Sequence, residues 1–168
     1  LWHAFVSTMR VWVAFLLAAV MAIPIGILMS SYRVVGASLE PIVDFIRYLP
    51  VPALIPLSII WFGVDQAAAV FIISIGVFWI TFFAAHGAIR AVDRDLIEVA
   101  EAFGFRSGPA KLVKVLAPAA LPGILIGLRT ALGQAWMAVV AAELNGVSGL
   151  GSRMMQASSL LATDIVIV

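Results

Sequence analysis

Long stretches without a charged residue constrain this sequence more than any other feature. Three of them, Val11 to Ser30, Tyr48 to Val64 and Gln66 to Ile89, contain 20, 17 and 24 residues. About 20 apolar residues cross a bilayer as a helix, and charged side chains are costly in hydrocarbon. Each stretch therefore predicts a membrane span. Helices satisfy their own backbone hydrogen bonds in lipid, so the predicted fold is all-α.

A fourth span is predicted between Lys114 and Glu143. Val115 to Leu128 and Thr130 to Ala142 are uncharged, and Arg129 lies between them. A fifth span is expected to begin after Asp164. Because the sequence opens on Leu1 rather than Met and ends in an apolar run, we interpret residues 1–168 as one membrane domain, incomplete at both ends. The predicted architecture is a polytopic transmembrane helical bundle with four to five spans.

Composition excludes several other classes of protein. Hydrophobic residues make up 64% of the chain and charged residues 11%, whereas soluble domains are about half apolar and a quarter charged. A net charge of +1 gives no electrostatic basis for binding nucleic acid. The chain has no cysteine and two histidines, so no metal or cofactor site is predicted.

The positively charged residues predict the orientation of the chain. Cytoplasmic loops carry an excess of Lys and Arg. If residues 90–118 are cytoplasmic, alternation of the spans places seven of these residues inside and two, Arg10 and Arg153, outside. The seven are Arg33, Arg47, Arg90, Arg94, Arg106, Lys111 and Lys114. The sequence therefore predicts a cytoplasmic location for residues 90–118.

Residues 90–118, here named the charged loop, have a helical pattern of their own. Nine of the 19 charged residues lie between Arg90 and Lys114. Leu96, Val99, Ala100 and Phe103 follow the i, i+3, i+4, i+7 spacing of one apolar helix face. Asp93 is a suitable N-cap, Gly104 a suitable end, and Gly108-Pro109 a suitable second start, which together predict two short helices around a turn.

The pattern alone leaves two interpretations of the charged loop open. An amphipathic segment of this kind anchors a turn at the membrane surface, or it docks on another protein. Helices that lie on lipid carry Lys and Arg on their polar face, but the first predicted helix carries mostly Asp and Glu. This charge favours a protein partner.

Two motifs resemble a known family. Glu98-Val-Ala-Glu-Ala-Phe-Gly104, followed by Val115-Leu-Ala-Pro118, resembles the EAA loop of permease subunits of bacterial binding-protein-dependent ABC importers. That pattern runs Glu-Ala-Ala, three residues, Gly, nine residues, Ile-x-Leu-Pro; here Val99 replaces the first Ala, and the stretch from Gly104 to Pro118 is one residue longer. Further segments are similar to the nitrate, sulfonate and taurine branch: Arg47 to Gly63, Gly127-Leu-Arg129 followed by Ala141-Ala-Glu-Leu144, and Leu161 to Asp164.

The resemblance implies a MetI-like permease domain and a role in ATP-driven import of a small, anionic solute. The charged loop would then insert into a separate ATPase subunit, through Glu98, Ala100, Glu101, Phe103, Gly104, Phe105 and Arg106. The implied partners are an ATPase dimer, a second permease subunit, identical to the first, an extracytoplasmic solute-binding protein and the bilayer of the bacterial plasma membrane. No run fits Gly-x-x-x-x-Gly-Lys-Ser/Thr, so ATP and magnesium belong to the partner, and the chain itself is not an enzyme.

Four residues are candidates for the solute pathway or its gate. Arg129 lies within a span, where it faces the pathway, extends to the cytoplasmic head groups or pairs within the subunit. Glu143, Asn145 and Gly149 lie at the outer end of the same span, as part of an external gate or of an ordinary loop. Gly123 and Gly127 have the spacing of a helix-packing motif.

Two other classes of function remain as alternatives. A secondary transporter or channel would keep the spans and need no ATPase, but Arg129 and His86 are the only ionisable residues within the four predicted spans. A membrane enzyme would need converging acid, base or metal-binding groups, and the acidic residues of the charged loop have no such neighbours.

Overall fold

The computed structural model describes residues 2–106, 108–144, 147 and 149–159. All of their regular structure is helical. The helices are α1 (Trp2–Ser31), α2 (Arg33–Ile46), α3 (Ile55–Phe62), α4 (Gln66–Arg90), α5 (Arg94–Ala102), α6 (Pro109–Lys111), α7 (Ala117–Leu144) and α8 (Leu150–Ser159), with a short 3-10 helix at Val51–Leu54 and a π-helical turn at Leu112–Leu116. This confirms the predicted all-α fold. The predicted fifth span, after Asp164, lies outside the described residues.

Three helices of the described part are long and apolar enough to cross a membrane: α1, α4 and the continuous helix Pro109–Leu144. α1 has 30 residues and begins at Trp2, well before the predicted start at Val11. Arg10 therefore lies within α1 rather than before the start of the helix. The predicted fourth span is confirmed as one helix that contains Arg129 without a break.

The predicted span over residues 48–64 is wrong in its position. Residues 51–54 form a 3-10 helix and α3 has only eight residues, too few to cross a bilayer. Pro50, Pro52 and Pro56 explain the interruption, because proline lacks an amide N–H and disfavours a helical residue before it. The search for uncharged stretches also missed α2, because its 14 residues include the charged residues Arg33, Glu40 and Asp44.

α2 and the 51–62 segment together are long and apolar enough for a fourth crossing, interrupted at residues 47–50. Nε of Arg10 donates to Oε1 of Gln66 at 2.9 Å, and the Ser74 hydroxyl donates to the carbonyl of Ala14 at 3.3 Å. These contacts pair early residues of α1 with early residues of α4, so the two helices run parallel where they contact each other. The segment between them is long and apolar enough to supply the return crossing of the four-span prediction.

The chain divides into two compact units, and α1, α4 and α7 contribute residues to both. One unit comprises residues 1–18, 49–77 and 132–168, where Ala69, Ala142 and Val147 form a small buried cluster. The other comprises residues 19–48 and 78–131. Its buried side chains form two clusters, one of Ala85, Ile89, Ala120 and Ile124 and one of Ala22, Met29 and Phe82.

Small residues bring α4 and α7 into close contact within the second unit. A Cβ atom on Gly123 would lie 2.9 Å from the Cβ of Ala88, and one on Gly127 would overlap Ala84. Ala84 and Ala88 have the same four-residue spacing as the two glycines. The helix-packing interpretation of Gly123 and Gly127 is therefore confirmed.

Candidate functional site: the charged loop and a buried polar cluster

α5 forms the first half of the charged loop, with the predicted helix signals in place. The amide N–H of Asp95 donates to Oδ1 of Asp93 at 3.1 Å, which caps the helix. Gly104 follows the helix with a φ of 95°, and Gly108 precedes Pro109 with a φ of 87°. Backbone of this handedness favours glycine, so both residues fix the course of the turn.

The second half of the charged loop differs from the prediction of a second short helix. α6 has three residues and continues through the π-helical turn at Leu112–Leu116 directly into α7. The amide N–H of Ala117 donates to the carbonyl of Leu112, five residues earlier, as in a π-helix. The turn lies between Gly104 and Pro118, where the sequence has one residue more than the EAA pattern. One added residue is what a π-turn accommodates within an α-helix.

An ion pair connects the two sides of the turn in the charged loop. Nζ of Lys111 donates to Oε1 of Glu101 at 2.7 Å. This hydrogen bond, with the charge of Lys111, holds the pKa of the Glu101 carboxyl below its usual range. Glu98 differs from Glu101, because it is exposed and its carboxylate has no hydrogen bond or ion pair within the part of the chain that the structure describes.

The predicted apolar stripe of α5 lines an open groove. The groove has a volume of about 380 Å³ and is mostly apolar. Leu96, Val99, Ala100 and Phe103 form one wall, and its other residues are Phe105, Lys114, Val115, Pro118 and Ala119. Phe103 is 81% exposed and Val99 is 54% exposed. Of the other predicted loop residues, Gly104 and Arg106 are also exposed.

Glu143 and Gly149, two of the predicted gate residues, lie together in the first unit. Glu143 is fully buried, and its carboxylate fills the space that a Cβ atom on Gly149 would need. The amide N–H of Gly151 donates to Oε2 of Glu143 at 2.8 Å, at the start of α8. Asn145, the third predicted gate residue, lies outside the described residues.

Sequence reasoning missed the residues that surround Glu143. The Ser7 hydroxyl and Nη1 of Arg10 donate to Oε1 of Glu143 at 2.5 and 2.6 Å. Nε and Nη2 of Arg10 both donate to Oε1 of Gln66. We name these residues the buried polar cluster: Ser7, Arg10 and Glu143 are buried, and Gln66, at the start of α4, is exposed. One signal was available: Ser7 and Arg10 are three residues apart, on one face of an apolar helix that otherwise lacks charge.

Arg129 is exposed on α7 and belongs to the second unit. Ile124, Gly127 and Ala131 occupy the buried side of the helix at this level. Among the described residues, Arg129 has no hydrogen bond or ion pair. An arginine at this depth of a membrane span needs water, protein or an anion beside it.

Comparison with known proteins identifies the family. The family described as "Binding-protein-dependent transport system inner membrane component" matches residues 11–168. The chain belongs to this family. Its predicted location in a membrane and its resemblance to permease subunits of binding-protein-dependent importers are thereby confirmed.

Three relatives align with most of the chain. MJ0413 of Methanocaldococcus jannaschii is 41% identical over 98% of the chain and 62% of its own length. The taurine transport system permease protein TauC of Escherichia coli is 36% identical over 99% and 61%. The bicarbonate transport system permease protein CmpB of Synechococcus elongatus is 36% identical over 89% and 54%. The chain thus spans little more than half to three fifths of the length of these relatives.

A solved structure supports the fold. A chain of the MetNI methionine ABC transporter, in an inward-facing conformation, matches with a TM-score of 0.81 at 20% identity. The match covers 98% of this chain and 85% of the other. The predicted MetI-like fold is confirmed.

Proposed function

We propose that the chain is the translocating part of a permease subunit in an ATP-driven importer of the plasma membrane, with the charged loop on the cytoplasmic side. The observation that carries this proposal is the open apolar groove of the charged loop, within a chain of this family. Exposed apolar side chains on a loop between two membrane helices are costly in water, and a protein partner relieves that cost. The chain has no phosphate-binding loop, so ATP and magnesium are bound by the partner ATPase.

The proposed docking surface comprises the exposed residues of the charged loop. Phe103 and Val99 supply apolar contact, while Glu98 and Arg106 are exposed charged groups that pair with the ATPase. Glu101 has a different role, because its ion pair with Lys111 fixes the shape of the loop. Ala100 and Gly104 act through packing and turn geometry, and Phe105 lines the groove.

The proposed solute is small and carries an anionic oxygen-rich group. Taurine, named for one relative, is a sulfonate, and bicarbonate, named for another, is an oxyanion. Arg129 suits such a solute, because its guanidinium presents several donors to oxygen atoms. We also propose a second permease subunit and an external solute-binding protein as partners, with Glu143 and Gly149 near the external gate.

Co-purification with the ATPase encoded beside the gene tests the docking surface. The full-length protein in detergent is compared with Phe103→Asp, Glu98→Lys and Gly104→Pro. Phe45→Ala is the matched control, since Phe45 is 75% exposed but lies on α2. We expect the wild type and the control to retain the ATPase and Phe103→Asp to lose it. Failure of the wild type to retain the ATPase would favour the alternative, a secondary transporter or channel.

A further inference from the structure

The buried polar cluster joins four helices within the first unit. Ser7 and Arg10 belong to α1, Gln66 to α4 and Glu143 to α7, while the amide N–H of Leu150 in α8 donates to the Ser7 hydroxyl at 3.2 Å. Side chains of the Arg10–Glu143 pair are 1% and 0% exposed. Both oxygens of the Glu143 carboxylate accept hydrogen bonds, so the charge is fully partnered.

The start of α8 is shaped around the Glu143 carboxylate. A Cβ atom on Gly149 would overlap it, and one on Gly151 would lie 2.9 Å from the Cβ of Glu143. The amide N–H of Gly151 donates to this carboxylate from the first turn of the ten-residue helix. A negative charge is favourable at such a position because unpaired amide groups point toward it. The Glu143 carboxylate is therefore packed against the start of α8 and hydrogen-bonded to it.

An ion pair is a poor choice if this junction only needs stability. The cost of removing two charges from water offsets most of their attraction, and apolar side chains of similar size often stabilise a protein as well or better. The same balance makes an ionic junction easy to open, because water solvates the separated charges. Opening an apolar junction exposes apolar surface to water, and no favourable hydration offsets that cost.

We infer that the buried polar cluster is the extracytoplasmic gate of the permease, held closed by Glu143. This inference rests on the proposed function and on the predicted orientation, which places the end of α7 outside. Glu143 is a positioning residue: it orders residues 149–151 and the start of α8 rather than binding solute. Opening separates Arg10 from Glu143 and admits water between them.

Residues 1–168 contain no cysteine, so once any cysteine elsewhere in the full-length permease is replaced, single introduced thiols report on the gate directly. Val147 is 6% exposed and packs with Ala69 and Ala142, so Val147→Cys places a thiol that reports whether the junction is open. Ser158→Cys, at an exposed position, reports the general reactivity of the same side. Both thiols are labelled with a membrane-impermeant maleimide in the full-length permease, with and without its ATPase.

The informative variants are Glu143→Gln and Ser7→Ala. Glu143→Gln keeps the shape of the side chain and removes its charge, while Ser7→Ala removes two hydrogen bonds and leaves both charges. Glu40→Gln is the matched control, because Glu40 forms a half-exposed ion pair with Arg90 at 3.7 Å. We expect Glu143→Gln to raise the labelling at position 147 relative to position 158 roughly tenfold, as loss of a charge-assisted hydrogen bond implies. Ser7→Ala should give a smaller rise and Glu40→Gln none.

The outcomes separate this inference from the proposed function. The gate proposal is wrong if position 147 is labelled equally in the protein that carries only Val147→Cys and in the same protein with Glu143→Gln or Ser7→Ala added. When the protein that carries only Val147→Cys is bound to its ATPase, a non-hydrolysable ATP analogue should raise labelling at position 147. With Glu143→Gln added, labelling should already be high without the analogue. If Glu143→Gln raises labelling but the ATPase never binds, the gate stands and the ATP-driven function fails.

Discussion

Among single residues, Arg129 is the clearest test of the proposed solute. It is exposed on a membrane helix and lacks a partner in the described structure, so an anionic solute is one group that would stabilise it. We predict that Arg129→Gln lowers uptake at least about tenfold, as loss of a charge-assisted hydrogen bond implies. Arg129→Lys should retain part of the uptake.

Uptake of radiolabelled taurine and bicarbonate into cells that produce the full-length protein measures the effect of Arg129. Arg153→Gln is the control, because Arg153 is an exposed arginine whose Nε donates to His3 at 3.1 Å. Full uptake by Arg129→Gln, at equal protein levels, would show that Arg129 does not act in the solute pathway.

The Glu101–Lys111 pair predicts how the charged loop responds to pH. The folded pKa of Glu101 is lowered by Lys111, so the pair contributes stability above the unfolded pKa and loses it as pH falls through the folded pKa. We therefore expect the rate of proteolytic cleavage in the loop, corrected for protease activity, to be the same at pH 8 and pH 6. Lys111→Met should raise that rate at both values, and charge exchange of the two residues should restore it. A wild-type rate that rises between pH 8 and 6 would contradict this account.

Substitutions at two glycines of α7, one a test and the other its control, measure the contribution of α4–α7 packing to stability. A methyl group on Gly127 would overlap Ala84, whereas a methyl group on Gly133 meets nothing within 4 Å. We predict that Gly127→Ala destabilises the protein by about 1–3 kcal/mol, the usual cost of overpacking. Gly133→Ala should be neutral or stabilise by up to about 1 kcal/mol, because alanine favours helix more than glycine. Thermal unfolding in detergent compares them, and equal melting temperatures would refute the packing role.

Helices were predictable from the sequence where a local signal determines them. α1, α4 and α7 each contain a predicted uncharged stretch, and α5 has its own cap and glycine terminator. α2 was missed because its charges interrupt the apolar pattern, and α3 was predicted as part of a longer span because an uncharged stretch does not register the prolines that break it. In the buried polar cluster only Glu143 was predicted, since Ser7 lies 136 residues and Arg10 133 residues from it in sequence. No local pattern connects residues at that separation.

For the molecule as a whole, the parallel course of α1 and α4 predicts four crossings. Single cysteines introduced at Val34 and Phe103 should react only with reagents supplied from the cytoplasmic side, and those introduced at Asp65 and Ser158 only from the outside. All four positions are exposed. Labelling of intact cells and inverted vesicles gives the sides. Reaction of the cysteines at positions 34 and 65 from the same side would mean that residues 35–64 do not cross the membrane.

The π-helical turn at Leu112–Leu116 bears on how loops of this family can be exchanged. One residue inserted into an ordinary α-helix rotates everything beyond it by about 100°. A π-turn takes up that residue locally, so the flanking helical faces keep their mutual alignment. Transplanting residues 104–118 as a block from a relative with the nine-residue spacing should therefore leave α5 facing the same way. A transplant whose boundary lies within residues 112–116 would change the direction in which α5 faces.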